Sequence, residues 1–440
     1  MACAPSSRGH STGVRARPSC CRSSCPWRPA RTSCRSIWCK RASPGSAARG
    51  SRRPGLLSAS SEPPDLTVTR LAVTRLASVL SLAALVGALA WVSAPEAGGA
   101  VIHWTSFAEL QQPRAFGSAV ALPTGEILVV GGLDNQDAAV TNPKTELVDA
   151  AMRTVTVLPQ TILARLHQTM TLGGDGRVIV AGGVVWEGTH WSPVDDVDIY
   201  DVAHRHWSYG APLRVARSDG AAIALKDGRV AVFGGNYDTK LLASVEIYDP
   251  RRDTWTDAAP MPRPRTQHTA VMLRDGSVMI VGGIDSDGGP TDSTFIYDPS
   301  SNAWEYGPRM TQARFQQATV SLPSGDILFI GGDGLAAGTS ELYLASQRHF
   351  VASGPLAVPR LVAQAAALPD GRVVVTGGLP LHMTTYAPLG SVEVWDPATG
   401  TWSESAPLAE GRAWGVMIRV GPALYLVSGN GANETAFRTV

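Results

Sequence analysis

The sequence has no cysteine beyond Cys39: all six of its cysteines fall in the first 39 of 440 residues. From there on a disulfide, a thiolate metal site and a cysteine nucleophile are excluded. Lysine is nearly absent, four residues against 34 arginines, a usage that fits a GC-rich genome. Charge is scarce in an uneven way. Residues 1–75 hold fourteen basic and two acidic side chains, which leaves 24 basic and 35 acidic ones from residue 76 onward. Such an acidic body repels phosphate backbones, whose neutralisation by Lys and Arg supplies most non-specific affinity, so nucleic-acid binding is excluded. Gly and Pro together make 76 residues, above average usage, and favour many short strands and turns.

Residues 1–67 are rich in Arg, Ser, Pro and Cys, show no apolar period and read as a disordered or mis-assigned extension. A different order begins at Arg70 and Arg75: the apolar run Leu76–Val92, then small residues from Ser93 to Ala100. Basic, apolar and small regions in that order make residues 68–100 a signal peptide or, through 76–92, a membrane anchor. Its position implies that translation starts near Val68 or Val73. The remainder, 101–440, is then extracytoplasmic: secreted, periplasmic or at the cell surface.

That remainder repeats. Glycines recur at Gly131, Gly182, Gly234, Gly282, Gly331, Gly377 and Gly429, six of them followed by a second Gly and the last by Asn430. Seventeen residues before each stands an arginine: Arg114, Arg165, Arg217, Arg265, Arg314, Arg360 and Arg412. Ten residues before each arginine is Trp104, Val155, Trp207, Trp255, Trp304, Phe350 or Trp402. Each period reads as four strands. The first ends in a Gly turn such as Asp227-Gly228, the second is an apolar run such as Val278–Val281, the third carries a motif such as Glu246–Pro250, and the fourth carries the Trp. One such sheet has two apolar faces, and a closed ring of like sheets covers both.

The Gly pair, the Tyr-Asp-Pro and the Trp at these offsets resemble the kelch repeat signature over Val101–Val440. The resemblance implies an all-β, seven-bladed β-propeller of four-stranded antiparallel blades. Trp104 precedes the first complete repeat and the last repeat stops at Val440, so Val101–Phe107 is expected to supply the outer strand of blade seven, closing the ring. Kelch proteins often hold ligands on the face that carries the links between strands two and three and between strands four and one.

On that face seven arginines have two readings. They form a guanidinium ring that captures anions, or each pairs inside the framework with an acid of the third strand (Glu146, Asp198, Glu246, Glu341, Glu393), Phe295 being the exception. Arg165, Arg217, Arg265 and Arg314 enter the candidate set on the first. The longest loop, Val184–Asp196, offers Trp186, His190 and Trp191 for stacking on a sugar or anchoring a peptide. His167 and His268, near the starts of first strands in blades two and four, are candidates to converge at the axis; His382 and Tyr386 are ambiguous. Asp285 and Asp287 give a weak calcium-like fragment, and solvated loop acids such as Asp134, Asp137, Asp238, Asp292 and Asp333 are the plainer reading.

Two functions fit. One is an exported, non-catalytic, monomeric module that recognises a glycan or protein; the other is an extracytoplasmic carbohydrate-active enzyme. No cofactor motif is present. A copper radical oxidase resembling galactose oxidase needs a Cys–Tyr crosslink and a Tyr-His pair, which 101–440 lacks. Kelch-type sialic-acid epimerases have six blades rather than seven, and no dedicated acid and base pair is legible.

Overall fold

The computed structural model describes residues 102–133, 143–381, 387–431 and 437–439; the expected leader, His382, Tyr386, Asp134 and Asp137 lie outside them. Six four-stranded antiparallel blades follow one another, at 118–161, 169–209, 221–258, 269–306, 318–353 and 364–405, each a meander from inner to outer strand. One 3₁₀ turn, Gly334–Ala336, is the only helical element among the described residues, and Asp333 caps it by accepting from the Gly334 amide at 2.7 Å.

The expected count of seven complete blades is corrected to six. The seventh repeat builds a two-stranded hairpin, Val416–Val420 with Ala423–Val427, whose first strand lies between the inner strands of blades six and one. The expected closing strand at 101–107 is not formed either. Strand pairing begins at Glu109–Arg114, which joins Phe437–Thr439 in a separate two-stranded sheet. Phe107 instead packs edge-on against Tyr425, ring centroids 5.0 Å apart.

The seventh repeat also slips its register by one. In the other repeats both glycines of the doublet have positive φ, and in the seventh the two residues that do are Ser428 (56°) and Gly429 (110°). The doublet is therefore Ser428-Gly429, with Asn430 one place beyond it. The hairpin Val416–Val427 is tightened by one residue, which absorbs the difference.

The core is a series of clusters between blades. The second strands, such as Val230–Phe233 and Ile327–Ile330, are buried on both faces, as their unbroken apolar character requires. Leu128, Val130, Val178, Val180 and Trp207 weld blade one to blade two. Ile127, Val129, Ile418 and Val427 weld the hairpin to blade one. Third- and fourth-strand aromatics stand opposite each other across the ladder, Tyr248 with Trp255 and Tyr297 with Trp304, at 5.0 Å between centroids, a cross-strand pairing that stabilises the blade.

Six of the seven doublets also make a joint. The second glycine donates its N–H to the carbonyl of the next repeat's arginine, as in Gly183 to Arg217 (2.8 Å), Gly235 to Arg265 (2.9 Å) and, across the gap, Gly429 to Arg114 (3.0 Å). A Cβ on Gly182, at φ +66°, would stand 2.4 Å from the Arg217 carbonyl, so this doublet has no room for a side chain at its first position.

Candidate ligand site at the mouth of the ring

Architecture takes up the arginine row. Arg114, Arg165, Arg217, Arg265, Arg314 and Arg360 are all buried to 1% exposure or less. Five of them pair with the third-strand acids: Arg114 with Glu146 at 2.7 Å, Arg165 with Asp198, Arg217 with Glu246 at 2.5 Å, Arg314 with Glu341, and Arg360 with Glu393 at 2.6 Å. Arg217, Arg265, Arg314 and Arg360 also donate to the carbonyl of the glycine 17 residues on, which is the physical origin of that spacing. As ligand contacts Arg165, Arg217, Arg265 and Arg314 are therefore withdrawn.

Blade four keeps its arginine without an acid. Phe295 takes the carboxylate's place, with the Arg265 guanidinium carbon 4.2 Å from the ring centroid. Gly282 O, Ser293 O and Ser293 Oγ accept the Arg265 N–H groups. Burial dominates and pushes Arg265 down to about 10, with the Asp285 carboxylate opposing and Arg263 adding to the fall. The missing acid leaves few donors stranded. In blade three Glu246 also accepts the N–H groups of Arg214 and Val215; at the position equivalent to Arg214, blade four has Pro262, which has none.

The calcium-like fragment is corrected as well. Asp285 and Asp287 both bind Arg263 Nη1, at 3.2 and 2.9 Å, and Asp292 pairs with Arg309 at 2.6 Å. Among the described residues no three His, Cys, Asp or Glu side chains are placed to hold a metal ion.

His167 and His268 do not converge. His268 is buried in the wall, its two ring nitrogens making no hydrogen bond among the described residues. His167 stands at the mouth, where its Nδ1 lies 2.9 Å from Asp219 Oδ1. Burial alone would lower the His167 pKa, but the hydrogen bond and charge of Asp219 outweigh it and raise the value above 6.5. Asp219 is the hub of a small network: with the Asn236 amide oriented to satisfy its surroundings, its nitrogen donates to Asp219 Oδ2 at 3.2 Å and its oxygen accepts from Ser218 Oγ at 3.3 Å.

A pocket of about 360 Å³ opens above this network, lined by Leu166, His167, Trp191, Asp219, Asn236 and Asp238 among others. Trp191 reaches it from the hairpin Val184–Trp186 with Trp191–Pro193, where it faces Trp186 at 5.4 Å between centroids. Trp186 and His190 do not line it. His190 is exposed at the hairpin tip, 3.4 Å from Glu187.

One row of residues went unread in the sequence. Two positions after each arginine stand Phe116, His167, Asp219, Gln267, Gln316, Val362 and Trp414, and all seven have φ between 46° and 59°. Here the chain leaves its bridge to the doublet loop, as in Ser218 with Asn236, and reverses into the inner strand. A side chain in this left-handed region costs on the order of 1 kcal/mol, more for a β-branched one such as Val362. Neighbours in the row touch: Phe116 lies 4.9 Å from Trp414 and 6.0 Å from His167 between ring centroids, and Val362 and Trp414 share one apolar cluster. The Asp219 N–H donates to the His167 carbonyl at 3.1 Å, and the Gln267 N–H to the Asp219 carbonyl at 3.0 Å. The available signal was a fixed offset with seven chemistries inside an otherwise periodic frame.

Comparison with known proteins agrees with this architecture. The kelch motif model matches residues 218–262 and 264–311. Beta-scruin from Limulus polyphemus is 32% identical over 127 residues, which is 28% of this chain and 13% of that protein, so the chain spans a small part of its length. Among solved structures, a fungal alcohol oxidase of the AA5 family in complex with copper superposes with a TM-score of 0.62 at 19% identity, over 77% of this chain and 75% of its own. YjhT superposes with a TM-score of 0.51 at 17% identity, over 64% and 95%. These two likenesses concern the fold. The copper belongs to the oxidase. The chain thus folds as a β-propeller whose repeats are similar to the kelch motif, the motif model itself matching two of them.

Proposed function

We propose that the protein is an exported, non-catalytic, monomeric binding module that takes a glycan on the long-loop face. The observation that carries this is the pocket between blades two and three, where the Trp191 ring stands beside Asp219, Asn236 and Asp238. An indole offers an apolar plane to the C–H face of a sugar, and carboxylate and amide groups take its hydroxyls. Export is supported by the basic, apolar and small-residue order of 68–100.

The purified protein on a printed glycan array is expected to bind a restricted set of chains. Trp191→Ala and Asp219→Asn should each weaken that binding at least tenfold, measured by calorimetry with the best-bound glycan. A blank array, or two variants that bind like the parent, would sink the proposal.

A second reading, an extracytoplasmic carbohydrate-active enzyme, draws on the His167–Asp219 pair, which supplies an acid and base couple that was not legible in the sequence. The carboxylate orients the imidazole through Nδ1 and leaves Nε2 for a substrate proton. Mass spectrometry of bound glycans before and after incubation separates the two, since a binding module returns its ligand unchanged.

A further inference from the structure

We infer that the seven residues of the mouth row form a recognition ring that receives the end of a saccharide chain rather than its middle; this rests on the glycan reading above.

The first support is conformational. The backbone here needs a left-handed residue, which Gly supplies at least cost and Asn tolerates. The chain uses Gly freely for such a φ at its doublets and hairpin turns. At the mouth it uses Gly in none of the seven repeats, and places Phe116, Val362 and Trp414 there, among the residues least suited to the region. What the position supplies is therefore a side chain, and strained residues of this kind gather at ligand sites.

The second support is the division of the ring. Val362, Trp414 and Phe116 are consecutive around it and apolar, and His167, Asp219, Gln267 and Gln316 are consecutive and polar. A pyranose is divided in the same way, with a C–H face for Trp414 and Phe116 and a hydroxyl edge for Asp219 and the glutamines. The frame is periodic and its contents are not, so the ring can orient an asymmetric guest.

The third support is continuity along the row. Adjacent members meet through the ring contacts of Trp414, Phe116 and His167, the His167–Asp219 pair and the Asp219–Gln267 backbone bond. With Val362 and Trp414 in one apolar cluster, the row is bridged by side chains or backbone from Val362 round to Gln267, which leaves a crossing chain no groove over that arc and suits a terminus. The pocket beside Trp191 adjoins the ring through His167 and Asp219 and would hold the next sugar.

The test uses the printed array to choose the best-bound chain, with the methyl glycoside of its terminal sugar as competitor. The methyl glycoside is expected to displace the chain with an affinity within about tenfold of it. Gln316→Gly and Gln267→Gly are expected to keep or raise the melting temperature, because strain is relieved, while each weakens binding at least fivefold; Trp414→Phe should weaken it less than Trp414→Gly. If the methyl glycoside fails to compete, or the glycine variants bind like the parent, or both lose several degrees of melting temperature, the ring inference falls while the glycan reading stands on Trp191. A blank array overturns both.

Discussion

Glu246→Ala is expected to destabilise the protein by about 3–5 kcal/mol, read from denaturant unfolding at neutral pH. The truncation strands the buried Arg217 guanidinium and also the N–H groups of Arg214 and Val215, which the same carboxylate accepts at 2.6 and 3.1 Å. Breaking a buried pair costs more than the pair contributes, because the remaining charge stays desolvated. Blade four provides the control. Arg217→Met leaves Glu246 without its counter-ion, whereas Arg265→Met leaves no acid behind, only the Phe295 ring and the acceptors Gly282 O and Ser293 Oγ. Arg265→Met is therefore expected to cost clearly less than Arg217→Met. Equal losses would show that the ion pair is not what distinguishes the blades.

Acid sensitivity is the second large effect. His268 is held neutral: burial first, and then the nearby Arg265 charge, push its pKa to about 3 from 6.5. An unfolded chain protonates this histidine as pH falls below about 6.5, while the folded chain does not until about 3. The unfolded state binds the extra proton across that window, so stability present above 6.5 drains away as pH falls. At pH 5 the loss from this group is about 2 kcal/mol. Glutamine fits the site, since Gln168 and Gln317 occupy the same offset in blades two and five and donate to Ser118 Oγ and Thr269 Oγ1 at 3.2 Å. Blade three has Ala221 where those hydroxyls would be, which leaves the His268 ring without an equivalent partner. His268→Gln is expected to be no more stable than the parent at pH 7.5 and to lose about 2 kcal/mol less between pH 7.5 and 5.0. Parallel pH profiles for the two proteins would contradict the assignment.

Much of the frame was legible because it obeys one bond geometry. The 17-residue interval is the reach from a guanidinium to a glycine carbonyl, and the acid two places before the third-strand aromatic is that guanidinium's partner. Phe295 was visible as an exception, but its compensation by Pro262 was not, since backbone donors leave no mark in a side-chain pattern. The seventh repeat misled for a similar reason: Gly429 matches a first glycine by letter, yet Ser428 occupies that conformation, and only φ and the bond to Arg114 tell them apart. At the mouth, loop length singles out Trp191, whereas the larger difference between repeats lies in residue type at a constant offset.

The joint between the hairpin and blade one has a kinetic meaning. Within a blade the strands are neighbours in sequence and can pair early. The last repeat meets the first segment over a very long stretch of chain, as the bond from the Gly429 amide to the Arg114 carbonyl illustrates. Contacts of such high sequence separation carry the largest loop-closure entropy and are formed late. Until they form, the apolar flank of blade one that Ile418 and Val427 cover remains wet, and a partly assembled arc is the species most exposed to aggregation.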